Sequence, residues 1–347
     1  MAGVWKIPRW IFVVGAIAVA AVVADTSLFL VRHRGSHRAG AAATPPVKPD
    51  TVAVIDPRRG KVVADVRVGH EPTAIGVGFG SVWVLNKEDG TLTHIDPRTR
   101  RVVGTLEPDA TANALAVGDG GIWFVGHPRA PGVERSVSSF EQVEPVAGKV
   151  VRSFRTPSGA AILAVGGGAL WSTGILGSHE RASTRSDART GKMSRIDLGL
   201  MGGDLVAADD AAAYYVDSLG SRAARVNTRT GRRTSFLRLV STASLIAGKI
   251  APDPTGIAIG GGSVWISETD GHVLRVDLRL HGITGKIHAC ADALAVAYGE
   301  GAVWVACSDA TVVRVDPATQ QPSPPVAVGG LPRGIAAGEG GVWVTLN

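Results

Sequence analysis

Cysteine, aromatic side chains and charge are all scarce in this sequence of 347 residues. It has two cysteines, 5% aromatic residues and 19% charged residues, and two cysteines alone do not form a metal site. By contrast, 45% of the residues are hydrophobic and 45 residues are glycine. This composition excludes a disordered chain and indicates short strands and tight turns around a substantial core.

The net charge of +6 comes mainly from the N-terminus. Residues 1–50 hold six of the 36 basic residues and two of the 30 acidic residues, which leaves 30 basic and 28 acidic residues beyond them. That remainder has no basic run and no aromatic-interleaved basic stripe. We therefore expect no nucleic-acid binding by the main domain.

One long apolar run lies within the first 31 residues. Residues 10–24 are apolar or small without interruption, and after Asp25 the apolar character resumes through Val31. As a helix, residues 10–31 would cross roughly 30 Å of hydrocarbon at about 1.5 Å per residue. Alternatively, the run is the core of a signal peptide, with small residues near Ala24 at the cleavage site.

We favour the uncleaved segment and divide the chain into an N-terminal membrane anchor (1–31), a linker (32–50) and a main domain (51–347). The linker lacks periodicity and is rich in Ala, Pro and basic residues, which is typical of a flexible tether. Basic residues flank the apolar run on both sides, so charge does not determine its orientation. We expect a single-pass protein of the cell membrane with its main domain extracytoplasmic, or a secreted protein if the segment is cleaved.

Residues 51–347 contain a repeat of about 40 residues. Each copy has an apolar run, a Gly-x-Gly motif, Val-Trp or a variant of it, a polar turn, a second apolar run and Asp-Pro or its substitute. In the degenerate copy Tyr214 fills the tryptophan slot, because it follows Asp187 by 27 residues, the same interval as from Asp56 to Trp83. Six tryptophans occupy this slot, with glycines five and three residues before them: Trp83, Trp123, Trp171, Trp265, Trp304 and Trp343.

Each copy predicts four strands, a to d. Strand a precedes the glycines, which we expect to give a tight hairpin through positive φ angles, and strand b carries the tryptophan. Strand c ends at the aspartate, and strand d follows the Asp-Pro turn. Strands a and b are apolar on nearly every residue, so both faces of each sheet must be covered, as they are between the blades of a propeller.

The ends of the repeat array complete one another. The array begins at Thr51 with a strand c and a strand d that have no partners, and it ends at Asn347 just after a strand b. Pairing these halves leaves no unpaired edge between them. We therefore predict an all-β, seven-bladed β-propeller whose N-terminal strands close the last blade.

This domain resembles the YVTN-type (YncE-like) propeller family over residues 51–347, through VAVIDPRRGKVV, VGHEPTAIGVGFGSVWVLN and HVLRVD. Its repeats are also similar to those of streptogramin lyases, most closely at residues 265–268 and 274–276. The resemblance implies the propeller fold. For activity it implies a range from lyases and quinoprotein relatives to sensor domains behind a membrane span in actinobacterial regulators.

Insertions into the repeat point to one face of the ring. They fall in the b–c loops at 126–139 and 174–184 and in the d–a connection at 241–252, which lie around the same mouth of the channel. Long loops on a rigid frame are typical of binding sites, although unconstrained loop drift is the alternative. The ligand candidates on this face are Glu71, Asn86, His127, Arg129, His179, Glu180, Asp217, Glu268, Asp270, His288 and Asp309.

We interpret the chain as a non-enzymatic module that binds a protein or a small molecule and needs no cofactor. The lyase resemblance implies an alternative, a Mg²⁺-dependent C–O lyase whose acid–base and metal-binding groups would come from His179, His127, His70 and Glu268. The blade entries APDPTG and GGLPRG lack the histidine of the lyase pattern, which favours the binding module. No spacing among these residues matches a metal or triad signature.

The two cysteines flank one predicted hairpin. Cys290 precedes strand a and Cys307 follows strand b, so both lie at the same end of the blade. A disulfide between them would be sterically feasible and would fit an oxidising compartment. Two free buried thiols are the alternative.

Overall fold

The computed structural model describes residues 49–108, 110–128, 138–156, 158–176, 180–200, 204–217, 221–240 and 252–347. These residues form 28 strands in seven four-stranded antiparallel sheets and no helix. A helix long and apolar enough to span a membrane is therefore absent from the described segments. Residues 10–31, for which the sequence predicts a span, lie outside them.

The strands form seven blades, each with an inner strand a and an outer strand d. Blade 1 contains β3 (Pro72–Gly78), β4 (Ser81–Asn86), β5 (Thr91–Asp96) and β6 (Arg101–Leu106). Blade 2 contains β7 (Ala110–Gly118), β8 (Gly121–Pro128), β9 (Ser138–Glu144) and β10 (Lys149–Thr156). Blade 3 contains β11 (Ser158–Gly166), β12 (Ala169–Leu176), β13 (Glu180–Asp187) and β14 (Met193–Ile196).

The remaining blades follow the same order. Blade 4 contains β15 (Leu205–Ala208), β16 (Ala212–Asp217), β17 (Arg222–Asn227) and β18 (Arg233–Arg238). Blade 5 contains β19 (Pro254–Gly260), β20 (Ser263–Glu268), β21 (His272–Asp277) and β22 (Ile283–His288). Blade 6 contains β23 (Ala293–Gly299), β24 (Ala302–Cys307), β25 (Thr311–Val315) and β26 (Val326–Ala327). Blade 7 contains β27 (Pro332–Gly338), β28 (Gly341–Leu346), β1 (Thr51–Asp56) and β2 (Lys61–Arg67).

The blades close into a ring in the way the sequence predicts. Inner strands contact one another in cyclic order, and β27 of blade 7 contacts β3 of blade 1. Blade 7 is built from both ends of the domain, because β1 pairs antiparallel with β28 from Thr51 opposite Leu346 to Ile55 opposite Val342. The seven-bladed β-propeller and its closure are thereby confirmed.

Buried tryptophans join the blades. One hydrophobic cluster lies between each pair of neighbouring blades, seven in all among the described residues. Trp304 is fully buried between blades 6 and 7, and its Nε1 donates a hydrogen bond to the carbonyl of Gly299 at 3.1 Å. Trp171 makes the same bond to Gly166 at 2.9 Å. In these blades the indole fills the gap between blades while its polar atom is hydrogen-bonded, whereas the buried Nε1 atoms of Trp83 and Trp123 have no such bond.

The second glycine before each tryptophan has a positive φ as expected, whereas the first has one only in blades 1 and 7, at Gly78 and Gly338. In blade 6, Gly301 has a φ of 73° and makes the tight a–b turn. Gly299 instead lies against the next blade, where an added Cβ would overlap the carbonyl of Ala337. The first glycine therefore allows close packing of inner strands, and the second allows the left-handed turn.

The degenerate fourth copy keeps the packing by other means. Tyr214 is 2% exposed in the tryptophan slot, and its hydroxyl donates to the carbonyl of Leu278 at 2.8 Å. Asp209 replaces the first glycine, and its carboxylate accepts the N–H groups of Ala211 and Ala212, each at 2.8 Å. A side-chain cap thus stabilises a turn that glycine forms elsewhere.

The insertions in blades 2 and 3 lengthen strands instead of forming only loops, which differs from the prediction. In blade 3, β12 extends to Leu176 and pairs it with Glu180, and Ile175 pairs with Arg181. Hydrogen bonding across the hairpin continues because the extra residues are added symmetrically to both strands. Residues 129–137, 177–179 and 241–251, which belong to the predicted long loops, lie outside the described residues.

We predict that Trp304→Ala destabilises the ring by about 3–5 kcal/mol, because it leaves a cavity between two blades. Urea unfolding followed by tryptophan fluorescence and circular dichroism measures the loss. Val146→Ala is the control, because Val146 is 81% exposed. An equal loss for both variants would contradict the packing role assigned to the tryptophans.

Candidate functional site

The turns between strands b and c lie beside the connections between strands d and a. In blade 5 the N–H of Thr269 donates to the carbonyl of Asp253 at 2.9 Å, and in blade 6 that of Ser308 donates to Asp292 at 3.1 Å. Both kinds of segment therefore lie at one end of the ring, as the repeat predicts. We call this end, with its b–c turns and d–a connections, the upper face.

Five titratable side chains of blade 5 form one network on the upper face. Lys286 Nζ lies 3.4 Å from Glu268 Oε2 and 3.5 Å from Asp270 Oδ2. His272 Nδ1 lies 3.0 Å from the same Asp270 oxygen, and the ring centroids of His272 and His288 are 4.9 Å apart. We call Glu268, Asp270, His272, Lys286 and His288 the blade 5 cluster.

The register of three strands brings this cluster together. Glu268 ends β20, Asp270 lies in the following turn, and His272 begins β21. In the pairing of β21 with β22, His272 is opposite His288 and Leu274 is opposite Lys286. Because side chains two apart on a strand share a face, Lys286 and His288 lie on the same side of the blade.

Burial and ion pairing set the charges of the two carboxyl groups. Glu268 is 3% exposed, and burial raises its pKa while the nearby Lys286 ammonium partly offsets this. Burial by itself would raise the pKa of Asp270. The hydrogen bond from the His272 backbone N–H and the charge of Lys286 outweigh burial, so the pKa of Asp270 is lowered. The cluster therefore holds one carboxyl that resists ionisation beside one that favours it.

A second polar group lies on the upper face where blade 7 meets blade 1. His70 Nδ1 lies 2.9 Å from Asp89 Oδ1, and the His70 N–H donates to Asp89 Oδ2 at 2.7 Å. The hydrogen bond and charge of Asp89 raise the pKa of His70. Lys87 Nζ lies 3.6 Å from Glu71 Oε1. We call His70, Glu71, Lys87 and Asp89 the junction cluster.

Three other predicted ligands have structural contacts or are buried. Asn86 Nδ2 donates to Thr91 Oγ1 at 3.0 Å and to Thr93 Oγ1 at 2.8 Å, which ties two strands together. Asp309 accepts a hydrogen bond from the hydroxyl of Thr311 in its own turn. Asp217 is fully buried at the end of β16.

The predicted ligands are distributed around the ring and do not form a single site. Glu268, Asp270 and His288 come together, whereas His127 lies near the end of β8 in blade 2 and Glu180 begins β13 in blade 3. Arg129 and His179 lie outside the described residues.

The residues of the lyase alternative do not form a joint donor set for Mg²⁺ in the described part. His70 lies between blades 7 and 1, His127 in blade 2 and Glu268 in blade 5. His70 is bonded to Asp89, and Glu268 is paired with Lys286. Across the described segments, no group of three His, Cys, Asp or Glu side chains is placed to hold a metal ion.

Sequence reasoning missed His272 and Lys286. Both belong to the repeat as ordinary members of strands c and d, without any local motif. The signal that could have found them is the strand register together with the bulge between Arg275 and Val276, which shifts His272 by one residue to lie opposite His288.

The cysteines are joined. Cys290 and Cys307 form a disulfide with a Cα–Cα distance of 6.3 Å, and of the two alternatives the structure therefore has the bonded one. The bond links the connection before β23 to the end of β24. Cys307 is fully buried in the cluster between blades 5 and 6. The disulfide thus clamps the upper end of blade 6 beside the blade 5 cluster.

Comparison with known proteins identifies the fold class alone. No protein-family model and no curated protein matches the chain. Among solved structures, the β-propeller domain of Cps50 (Swd1) from Myceliophteria thermophila is 10% identical, with a TM-score of 0.60 over 81% of this chain and 98% of that one. The WD40 domain of Neurospora crassa Pan2 is 10% identical, with a TM-score of 0.59 over 87% and 98%.

A designed protein, Ika8, is 16% identical, with a TM-score of 0.52 over 73% of this chain and 74% of that one. At such low identities these likenesses carry no information about ligands. The strand topology defines the fold class, a seven-bladed β-propeller with four-stranded blades, and the natural neighbours are propeller and WD40 domains.

We predict that the double variant Cys290→Ser/Cys307→Ser lowers the free energy of unfolding by about 3 kcal/mol, because the bond closes a loop with a sequence separation of 17. Chemical denaturation measures the change. Reductant should produce the same loss in the unaltered protein and none in the variant. Identical unfolding of the variant and the oxidised protein would contradict a stabilising bond.

We predict that Glu268→Gln is more stable than the unaltered protein at pH 7. The folded-state pKa of Glu268 is raised above its ordinary value of 4.5, so its ionised form costs stability at neutral pH. This cost disappears as the pH falls through the raised pKa toward 4.5, and the advantage of the variant should shrink in that window. Denaturation series at several pH values measure it.

Glu107→Gln is the control, because Glu107 is exposed. It should differ little from the unaltered protein across the same pH series. A constant difference between Glu268→Gln and the unaltered protein would argue against a buried, reluctantly ionised Glu268.

Proposed function

We propose that the chain is an exported, membrane-tethered propeller of the YVTN (YncE-like) type that binds a protein or small molecule through its upper face, without catalysis. The observation that carries this proposal is the blade 5 cluster. It gathers a cation, two carboxyl groups and two imidazoles at the end of the ring where the turns lie.

The cluster presents fixed charged groups to a partner. The side chain of Lys286 is 47% exposed. Its ammonium group is paired with the carboxylate of Glu268, whose side chain is only 3% exposed. The side chains of Asp270 and His272 are 35% and 28% exposed. Because these groups are already positioned, a ligand would lose less conformational entropy on ordering them. Hydrogen bonds to charged groups are also worth about 1.5–3 kcal/mol each.

The closed ring supplies a rigid support for this surface. Both the blade 5 cluster and the junction cluster sit on turns and connections whose strands are buried between blades. Residues on loops that a rigid scaffold supports keep fixed positions relative to one another, and binding residues are often found on such loops. A partner that covers the upper face would meet both clusters.

Export and tethering are supported by the covalent chemistry and by the N-terminal sequence. The disulfide between Cys290 and Cys307 fits an oxidising compartment, because cytosolic thiols are kept reduced. The apolar run of residues 10–31 is long enough to serve as the anchor, and residues 32–50 supply a linker.

Photo-crosslinking of the full chain in its own cells tests the binding face. A photoreactive residue at Asp270, on the upper face, should give a discrete adduct, whereas one at Arg58, in a c–d turn at the opposite end, should give none. Lys286→Gln in the Asp270 probe should remove most of the adduct, because it removes the exposed cation.

Lys61→Gln is the matched control, since Lys61 is an exposed lysine on the outer strand β2. It should leave the adduct intact. Equal adducts from both ends of the ring, or none from Asp270, would contradict upper-face binding. Protease added to intact cells should digest the ring, and a protected ring would argue against export.

A further inference from the structure

The outer hairpin of blade 4 has an unusual charge. Residues 221–238 contain six arginines and no acidic residue. Every other outer hairpin of the ring includes at least one Asp or Glu, usually the aspartate that ends strand c. In blade 4 that position is Asn227. We call the six arginines the arginine edge: Arg222, Arg225, Arg229, Arg232, Arg233 and Arg238.

These arginines form no salt bridge among the described residues. Salt bridges occur elsewhere in that part of the chain, but none of them includes an arginine of this edge. Arg229, Arg232, Arg233 and Arg238 are exposed. The buried Nε of Arg222 has no hydrogen-bond partner. Six arginines therefore lie on one hairpin of a domain whose total charge is nearly balanced, and the acidic residue opposite them in the strand pairing is the buried Asp217, which faces Arg222.

An exposed aromatic ring lies within the arginine edge. Phe236 is 41% exposed, and the guanidinium carbons of Arg222 and Arg233 each lie 5.8 Å from its ring centroid. Cation–π contact with the ring restricts the positions of these two guanidinium groups. Arg233 also donates to the carbonyl of Leu198 at 2.6 Å, which ties it to blade 3.

We propose that the arginine edge docks the ring onto a membrane surface of anionic phospholipid. Guanidinium groups bind phosphate in a bidentate manner, and a phenylalanine among basic residues is typical of surfaces that lie at the headgroup boundary. The proposed partner is therefore the headgroup layer of a bilayer, in which phosphodiester groups lie next to hydrocarbon. A linear polyanion would bind the arginines but would give the exposed Phe236 no apolar environment. A single-stranded nucleic acid differs from other polyanions in this respect, because its bases could stack on Phe236.

This proposal rests on the proposed tether for its choice of partner. An uncleaved anchor within residues 1–31 would tether the ring to the bilayer, and tethering raises the effective concentration of a weakly binding surface there. Because the arginine edge is on the circumference, docking there leaves the upper face open to its own partner.

Vesicle cosedimentation tests the proposal with the ring alone, residues 49–347. All strand pairs of the ring lie within this part, which also separates from residues 1–42 as a compact unit. The ring should bind vesicles that contain phosphatidylglycerol, fail to bind pure phosphatidylcholine vesicles, and lose binding as salt rises. Circular dichroism and thermal unfolding verify that each variant is folded.

The decisive variants change the same two turn positions in two blades. Arg229→Gln/Arg232→Gln should weaken vesicle binding about tenfold or more, because each arginine near an anionic surface adds to the electrostatic attraction that holds the protein there. Arg98→Gln/Arg101→Gln makes the same charge change in blade 1 and should alter binding less than about twofold. Phe236→Ala should also weaken binding to vesicles.

Equal weakening by the two double variants would overturn the proposal, because binding would then follow net charge alone. Absence of vesicle binding would overturn it as well, and so would binding of single-stranded DNA in preference to vesicles. The assay omits residues 1–48, so its failure is distinct from failure of export, which the protease experiment on intact cells reports.

Discussion

The pairing of β1 with β28 is the interaction on which the rest of the structure depends. It joins the two ends of the domain through backbone hydrogen bonds, from Thr51 opposite Leu346 to Ile55 opposite Val342. Without it, the strand edges of blade 7 would be unpaired and the clusters on either side of that blade would be opened. Every blade interface is then constrained by its neighbours, because the ring has no free end.

Packing between blades leaves the upper end of each strand b free to vary. The position three residues after the tryptophan or tyrosine slot holds six different residue types in the seven blades, with glycine in two of them. In blades 1 to 7 it is occupied by Asn86, Gly126, Gly174, Asp217, Glu268, Cys307 and Leu346. One slot thus supplies a strand-to-strand hydrogen bond, an anchor for Lys286 and half of the disulfide. Because packing between the blades stabilises the ring, the residue at this position can differ from blade to blade.

The fold could be predicted because its signals are local and repeated. Seven copies of the aromatic slot give the blade count, and the unmatched strands at the two ends of the array give the closure. The site was predicted only in part. Glu268, Asp270 and His288 were assigned to the correct face, but His272 and Lys286 were not, because their contacts depend on strand register. The arginine edge was hidden for a related reason, since charges summed over the whole domain nearly cancel.

By itself the sequence determined the strand order, the number of blades and the residues that pack between them. These follow from hydrophobic periodicity and turn chemistry, which act within a few residues and recur in each copy. Only the tertiary structure decided which polar side chains meet. Those contacts depend on register, on neighbouring blades and on where extra residues lengthen a strand, as between Leu176 and Glu180. They occur once each, so no repetition in the sequence reveals them.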